Sequence, residues 1–450
     1  MGQSNQKIDI FERMPVKRAV LRQIAPAIAG QMITLIYSLA DTYFVGMLNQ
    51  SAATAAITVA FPMFLMLTAI SNLFGVGGAS AIARALGKKD LEKARQIAGI
   101  SFWSGLAAGI LYSCVFLFLG EPVLRLCGAT ERTFAIALGY ARWVILIGGP
   151  FTILNTLLAN LVRAEGSAMH ASVGVSMGGI LNTILDPIFV LPQFLGLGAV
   201  GAGVATAISN AAAMAYFICY AVKKKNATVV SLSPKNLRYT GRHIKEILAV
   251  GFPSAVQFAL TVVSISVQSK FVSRYATEAV AGLGIVKKLD QLPLYFTMGV
   301  SNGLLPLLAY NYSVGNQERR KQAFHFGCTI SLGFSVLCLI CYEAFAPLLA
   351  GIFIEDPATI QYASGFLRIM VTAMPMMSLC YPIIVQFQAM GKAKPALVCS
   401  VIRKGILDIP ISFVMDALIP LYGLMWVQPI VDTISLAVAG ILYRKQNRRG

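Results

Sequence analysis

The stretch Leu21–Met47 reads LRQIAPAIAGQMITLIYSLADTYFVGM and decides the class of fold. It is long enough for a helix to cross a hydrocarbon core of about 30 Å. Beyond Arg22 near its start, it carries a single charged residue, Asp41. A charge at depth in a membrane helix costs about 2.5–3.5 kcal/mol or more on insertion scales, so such a residue is usually retained for function. The stretch therefore predicts a membrane helix and marks Asp41 as a candidate functional residue.

The composition extends this prediction to the whole chain. Hydrophobic residues make up 57% of the sequence, charged residues 12%, and the mean hydropathy is +0.70, whereas about a quarter of an average soluble domain is charged. We predict an all-α membrane protein with twelve transmembrane helices, which lie near residues 22–47, 54–83, 97–119, 134–162, 170–191, 199–222, 246–275, 282–312, 324–350, 359–389, 395–418 and 422–443.

The basic residues indicate how these helices are oriented. If the N-terminus is cytoplasmic, 29 of the 37 Lys and Arg residues fall in the inside segments and tails. Such a bias is the positive-inside rule, and it places both termini in the cytoplasm. The net charge of +18 does not predict a nucleic-acid partner, because the basic residues are spread over separate loops without interleaved aromatic residues.

The second half of the chain repeats the first at an almost constant offset. Pro26 recurs as Pro253, and the motif Gly179-Ile-Leu-Asn182 recurs as Gly405-Ile-Leu-Asp408. Each half contains six predicted helices, so both insert in the same orientation, related by a pseudo-two-fold axis along the membrane normal.

The longest polar stretch, Lys223–Lys245, joins the two halves. It divides the chain into two predicted six-helix lobes, residues 1–230 and 231–450. Two bundles joined by one link suit alternating access around a site near mid-depth.

Five polar residues of the first half fall at similar depths in the predicted helices. Asp41 lies about 28 Å along the first helix, and Tyr37 precedes it by one turn on the same face. Asp186 lies at a comparable depth on the fifth helix with Asn182 one turn away, and Thr206 reaches the same level on the sixth. Two carboxylates, an amide and a hydroxyl could form an all-oxygen cage for a cation or a proton site. We therefore expect the coupling of transport to an ion in the first lobe.

The alternative is that both carboxylates reach back to the outer interface. Asp186 would then be the last helical residue before Pro187. Pro26, fifteen residues before Asp41, permits a bend in the first helix, through which changes at Asp41 could move the helix, although simple kinking explains it equally well.

The second half lacks an equivalent set. The repeat places Gln268 opposite Asp41 and the apolar region of Ile411 opposite Asp186. Of the 19 acidic residues, we place well inside the predicted helices only Asp41, Asp186, Asp408 and Asp432. Asp408 follows Lys404 by four residues, so an ion pair along one helix is as good an interpretation as a substrate contact. Asp432 has no evident partner.

A substrate cavity adaptable to varied apolar ligands is suggested by methionines and aromatic residues, although such residues are also ordinary in membrane cores. The candidate cavity residues are Met63, Met66, Asn155, Asn210, Gln268, Met374 and Asp408.

Several of these features together resemble the multidrug and toxic compound extrusion (MATE) family over essentially the whole chain. They are two six-helix halves, Pro26 with Tyr37 and Asp41, Phe74-Gly-Val-Gly-Gly-Ala-Ser on the second helix, Asn182-x-x-x-Asp186-Pro187 on the fifth, and Gly198–Asn210 on the sixth. The resemblance implies a V-shaped exporter of cationic amphipathic compounds in the bacterial inner membrane, driven by Na⁺ or H⁺ entry. It also implies a cation site at Asp41, Asn182, Asp186 and Thr206. Members that use a Glu on helix 7 and an Asp on helix 10 are not matched here.

Other classes are less compatible with the sequence. A lipid-linked precursor flippase of the same broad superfamily, the runner-up, would carry a strongly basic cavity, for which Lys287, Lys288 and Arg403 are the candidates. A primary pump would need a phosphate-binding G-x-x-x-x-G-K-[ST] loop, which the chain lacks. We find no nucleophile–base or metal constellation of an enzyme, and expect no cofactor beyond the coupling ion. Since the two lobes already enclose an interface, a monomer is expected rather than a multi-subunit channel.

Overall fold

Fifteen α-helices carry the architecture in the computed structural model, which describes residues 9–48, 51–272 and 274–447. The first half contains α1 (Val16–Gly46), α2 (Ser51–Gly87), α3 (Leu91–Leu126), α4 (Glu131–Ala141), α5 (Gly149–Ala164), α6 (Ala168–Val190) and α7 (Ala199–Lys223). The second half contains α8 (Thr240–Val272), α9 (Thr277–Ser313), α10 (Gln317–Gly351), α11 (Pro357–Val371), α12 (Met374–Ala389), α13 (Ala393–Val401), α14 (Asp408–Leu418) and α15 (Gly423–Asn447).

Three pairs of these helices are broken spans, so the fifteen helices make twelve crossings. The pair α4 and α5 is bent by 50°, and α11 and α12 are bent by 47° at the corresponding place in the second half. The helices α13 and α14 are joined by a π-helical turn, Ile402–Ile406. The twelve-helix prediction is confirmed. The breaks were not predicted, because hydropathy reports the apolar length of a segment and not its backbone hydrogen bonds.

Most helices extend a few residues beyond the predicted apolar spans, and polar side chains cap some of these extended ends. Asp90 accepts a hydrogen bond from the backbone N–H of Lys93 at 2.9 Å at the start of α3. Asn316, its counterpart in the second half, accepts one from Arg319 at 3.0 Å at the start of α10. Such N-caps satisfy backbone donors that the helix leaves unpaired.

The helices form two six-span lobes whose contacts show the pseudo-two-fold symmetry. The first lobe is built from α1–α7 and the second from α8–α15, and the predicted boundary at residues 230 and 231 falls between α7 and α8. Between the lobes, α1 packs against α9, and α2 packs against α8. Because the repeat pairs α1 with α8 and α2 with α9, each of these contacts is the counterpart of the other.

The lobes meet in the half of the molecule that carries residues 223–240, which we call the linker end; the opposite side is the far end. Three glycines allow the close approach, since an added Cβ at Gly251 of α8 would overlap the carbonyl oxygen of Leu73 in α2. At Gly299 and Gly303 of α9 it would lie within 2.7 Å of the α1 backbone. The buried residues of α1 are concentrated at its start, with only Leu35 and Val45 beyond residue 30. The lobes are therefore closed at the linker end and diverge toward the far end.

Charged contacts cross the interface at this closed end. Glu246 of α8 forms salt bridges with Arg84 of α2 at 2.9 Å and with Lys93 of α3 at 3.0 Å. The hydroxyl of Ser80 also donates to the carbonyl of Gln388 in α12 at 2.6 Å. We call Arg84, Lys93 and Glu246 the linker-end latch.

Candidate functional site

A polar pocket lies inside the first lobe, between α1, α6 and α7. Asn182 and Asp186 stand one turn apart on α6, and Asn182 Nδ2 lies 3.4 Å from Asp186 Oδ1. The same nitrogen lies 3.5 Å from Thr206 Oγ1 on α7. Three of the predicted site residues are therefore brought together by side-chain contacts across two helices.

The fourth and fifth predicted residues complete the pocket from α1. Asp41 lies within electrostatic range of Asp186, and Tyr37 within range of both carboxyl groups. The Tyr37 ring packs on Gly179 of α6, where an added Cβ would lie 3.0 Å from Tyr37 Cδ1. A glycine at this position lets α1 and α6 approach closely enough for the carboxyl groups to share one pocket.

Tyr140 is a pocket residue that sequence reasoning missed. It lies at the end of α4, just before the π-helical turn Arg142–Ile147, is 7% exposed, and interacts electrostatically with Asp41, Asp186 and Tyr37. One tyrosine in an apolar span has no periodic signal, so only the break after α4 could have pointed to it.

Three oxygen atoms of this pocket are buried without any hydrogen-bond donor in the described part of the chain. They are Asp41 Oδ1, Asn182 Oδ1 and Asp186 Oδ2. Leaving a buried acceptor unpaired costs about 1–3 kcal/mol, so three such oxygens in one pocket form an unsatisfied polar group. Oxygen atoms of this kind are ligands for hard cations, and no salt bridge within the described residues neutralises either carboxylate. The residues present therefore fit a site for Na⁺ or H⁺.

The alternative interpretation of Asp186 as an interfacial helix end is wrong. The residue is 0% exposed, and α6 continues through Pro187 to Val190. Its carboxyl group is therefore enclosed by protein rather than extended toward an interface.

Two further candidates extend the pocket toward the linker end. Asn155 of α5 donates to Asn210 Oδ1 at 2.9 Å, and Asn210 donates to the carbonyl of Thr206 at 2.9 Å. The side-chain oxygen of Asn155 is buried without a partner in the described chain. The side-chain amides of Asn210 and Asn155 thus form a chain of hydrogen bonds that runs from the Thr206 carbonyl into the lobe interior.

The candidate cavity residues outside this line are placed differently. Met63 and Met374 are 4% and 1% exposed in the apolar cores of the first and second lobes. They do not face the open cleft in this conformation, because neither side chain reaches its surface. Met66 is 37% exposed. Gln268 is buried and donates to the carbonyl of Leu424 at 3.2 Å.

The second lobe contains charged side chains that are paired with one another. The predicted pair of Lys404 and Asp408 is present at 3.8 Å, and Ser264 also donates to Asp408. Asp432, for which the sequence showed no partner, binds Arg403 at 2.6 Å. The set of acidic residues inside helices was incomplete: Asp290 lies well within α9. It was missed because the predicted helix began later than α9 does, which placed Asp290 nearer to its end.

Comparison with a family model supports the repeat. The MatE model matches the chain twice, at residues 26–188 and 253–414. The two matches begin at Pro26 and Pro253, so the family model repeats at the same offset as these prolines.

Curated relatives match almost the full length. The chain is 31% identical over 446 residues to the multidrug export protein MepA of Staphylococcus aureus (strain MRSA252), covering 99% of this chain and 97% of that protein. It is 30% identical to MepA of Staphylococcus saprophyticus over 445 residues, with the same coverage.

Solved structures share the fold. A crystal structure of MATE in complex with MaL6 superposes with a TM-score of 0.91 at 24% identity, covering 98% of both chains. An outward-facing conformation of a multidrug resistance MATE family transporter of the MOP superfamily superposes with a TM-score of 0.89 at 24% identity, covering 96% of both chains.

Proposed function

Since the chain belongs to the MatE family, we propose that it is a secondary active antiporter that exports cationic amphipathic compounds in exchange for Na⁺ or H⁺. The observation that carries this proposal is the pair of carboxylates Asp41 and Asp186 with buried, unpartnered oxygens in an otherwise uncharged pocket. Such a pocket binds a small cation or a proton and releases it when the lobe changes shape. The full-length relatives are named multidrug export proteins, which supports the export of drug-like compounds.

The geometry supports alternating access between two conformations. The present one is closed at the linker end by the glycine contacts of α8 and α9 and by the linker-end latch. Export requires a second conformation in which these contacts separate and the far end closes. A coupling ion drives this exchange only to the extent that it binds one conformation more tightly than the other.

The first lobe explains how one site can serve both an ion and a drug. A cationic ring compound gains from an aromatic surface and from a carboxylate, and the pocket places the rings of Tyr37 and Tyr140 near Asp41 and Asp186. Because the carboxylates of Asp41 and Asp186 are shared, binding of the ion weakens binding of the cationic compound. This competition is the exchange that an antiporter needs.

We infer the orientation from charge and the location from the family. The linker end carries most of the 29 basic residues counted above and faces the cytoplasm, so the cleft of this conformation opens outward. The protein acts in the bacterial cytoplasmic membrane, and one chain forms the whole transport unit.

The flippase alternative is not favoured. Among the three basic residues of its expected cavity, Arg403 is neutralised by Asp432, and Lys287 lies within electrostatic range of Asp290. The neighbouring Lys404 binds Asp408. Of the three expected cavity cations, two are therefore balanced by carboxylates of the chain, which leaves Lys288 as the remaining candidate to hold a phosphorylated lipid carrier.

Transport in vesicles tests the proposal. Purified protein in liposomes should move ethidium against its gradient when either an imposed Na⁺ or an imposed H⁺ gradient is supplied, and liposomes without protein provide the control. If neither gradient drives ethidium movement by assembled protein, the proposed function is wrong.

A further inference from the structure

The buried ionic cluster of the second lobe is not used by the proposed mechanism. Arg403 is 2% exposed; its Nε lies 2.6 Å from Asp432 Oδ1, and its Nη2 lies 3.4 Å from Asp432 Oδ2. Gln428 donates to the same carboxylate at 2.9 Å and accepts from Lys404 at 2.9 Å. Lys404 in turn pairs with Asp408. The cluster thus links α14 to α15 through the carboxylates of Asp408 and Asp432 and through the cationic side chains of Arg403 and Lys404, which we call the tethered cations. Lys287 and Asp290 of α9 lie within electrostatic range of this cluster.

The repeat relates this cluster to the pocket of the first lobe. Asn182 corresponds to Asp408, and the same offset along the chain relates Thr206 to Asp432. The local sequences agree as well, because Thr206-Ala-Ile-Ser corresponds to Asp432-Thr-Ile-Ser. Asp408 and Asp432 therefore stand at the counterparts of two residues that contact each other in the first-lobe pocket.

One inserted residue distinguishes the two lobes at this place. The offset from Gly179 to Gly405 is longer by one residue than the offset from Gly166 to Gly391. The second half therefore contains one extra residue between these glycines. The structure accommodates it in the π-helical turn Ile402–Ile406, while α6 stays α-helical over the corresponding stretch. Single π turns of this kind are frequent at functional sites.

The π turn contains both tethered cations. Arg403 and Lys404 are neighbours in sequence, yet both bind groups inside the lobe. The guanidinium of Arg403 also lies over the Tyr381 ring at 4.7 Å, and its Nη1 is buried without an acceptor in the described chain. The positive charge of Arg403 is thereby fixed beside Asp432, where solvent does not reach it.

The first lobe shows the opposite balance. Its carboxylates have unpartnered oxygens and no basic side chain of the described residues bound to them, whereas Asp432 and Asp408 are each bound by a cation of the chain itself. Equivalent positions in the two lobes thus differ in charge. The carboxylates of the first lobe are not paired with a basic side chain of the described residues, whereas those of the second lobe are neutralised by basic side chains.

We propose that the second lobe contains a latent binding site for a monovalent cation, which Arg403 fills as a tethered cation. Asp432 supplies the carboxylate oxygens that the guanidinium now contacts, and Gln428 and Asp408 hold Lys404 beside them. Lys404, together with Lys287 and Asp290 of α9, completes the charge balance. The chain then has one site that exchanges a cation with solvent, and this site lies in the first lobe. The second-lobe site is not exchangeable because the π turn places Arg403 in it. The inference rests on the proposed function for the meaning of the first-lobe site, but its test does not require that site.

The test uses full-length protein in which the first-lobe site is disabled by Asp41→Asn and Asp186→Asn. In this parent, Arg403→Gln should create binding of radioactive sodium at alkaline pH, with about one ion per chain, and sodium should raise its thermal stability relative to choline. Arg403→Lys should bind no sodium, because it keeps a tethered charge. Arg403→Gln combined with Asp432→Asn is the matched control, and should assemble without binding sodium because the carboxylate is removed.

Two results would overturn the proposal. One is an assembled Arg403→Gln variant that binds no sodium. The other is failure of Arg403→Gln to assemble in either sodium or choline while the control that combines Arg403→Gln with Asp432→Asn does assemble. That result would show that free sodium does not replace the guanidinium beside Asp432. Failure of the proposed function is seen in a separate measurement. In that case the wild type binds sodium or protons, and Asp41→Asn leaves this binding unchanged.

Discussion

Asn182 donates its amide toward Asp186 Oδ1 at 3.4 Å, and its own carbonyl oxygen is left without a partner in the described chain. The Asp186 carboxylate thus orients the amide so that an oxygen, rather than an N–H group, is free in the pocket. An amide held in this way is a ligand for a cation and a poor neighbour for an anion.

The first prediction concerns this oxygen. Asn182→Ala should weaken binding of the coupling ion about tenfold, because loss of one buried polar contact is worth about 1–3 kcal/mol. The ion concentration that gives half-maximal efflux measures the effect. Thr183→Ala is the matched control, since its hydroxyl binds the carbonyl of Gly179 on the same helix. Equal shifts for both variants would indicate a general disturbance of α6.

The second prediction concerns the linker-end latch. Glu246→Gln removes the charge that binds Arg84 and Lys93, and partly exposed pairs of this kind contribute about 0.2–1 kcal/mol each. We expect a several-fold shift toward the conformation open at the linker end. Distances between spin labels at Lys88 and Lys245, which lie on different lobes, should lengthen.

The control for the latch is Glu121→Gln, which removes an exposed pair with Arg125 at the far end and should leave the label distances unchanged. An unaltered distance distribution in Glu246→Gln would show that the glycine contacts alone close this end.

The third prediction separates the two lobes. Asp408→Asn should reduce efflux less than Asp186→Asn, because Lys404 keeps its contact with Gln428 and the coupling pocket is untouched. Initial rates of ethidium efflux at matched expression measure the difference. A loss for Asp408→Asn as large as that for Asp186→Asn would assign coupling to both lobes.

The fourth prediction concerns orientation. A cysteine introduced at Asn226, exposed in the segment after α7, should escape an impermeant reagent added to intact cells, whereas one at Glu131 at the far end should react. The background must be labelling-silent, because Cys114 and Cys219 are exposed. Labelling at Asn226 in intact cells would reverse the orientation proposed here.

Length and spacing in the sequence were sufficient for the twelve spans and for the grouping of Asn182, Asp186 and Thr206. Residues four apart share a helix face, and helices that alternate in direction return to the same depth. The repeat added the symmetry, because an even number of spans per half leaves the second half in the same orientation.

Helix length and residue spacing could not predict the breaks within spans or the contacts between residues far apart in the sequence. The bend between α4 and α5 and the π turn at Arg403 depend on which backbone hydrogen bonds shift, and apolar length does not record this. The partner of Asp432 lies 29 residues away on another span, where no helical period connects them. Tyr140 was missed because it lies on a different span from Asp41 and Asp186, and no helical period connects it with them.

The central claim is that Asp41 couples cation entry to drug export, and Asp41→Asn tests it most directly. This change keeps the shape of the side chain and removes its charge. Gradient-driven ethidium efflux should fall to the level of protein-free liposomes, and Asp41→Asn combined with Asp186→Asn should be little worse, because the two carboxylates act as one site. Efflux by normally assembled Asp41→Asn at the wild-type rate would contradict the account.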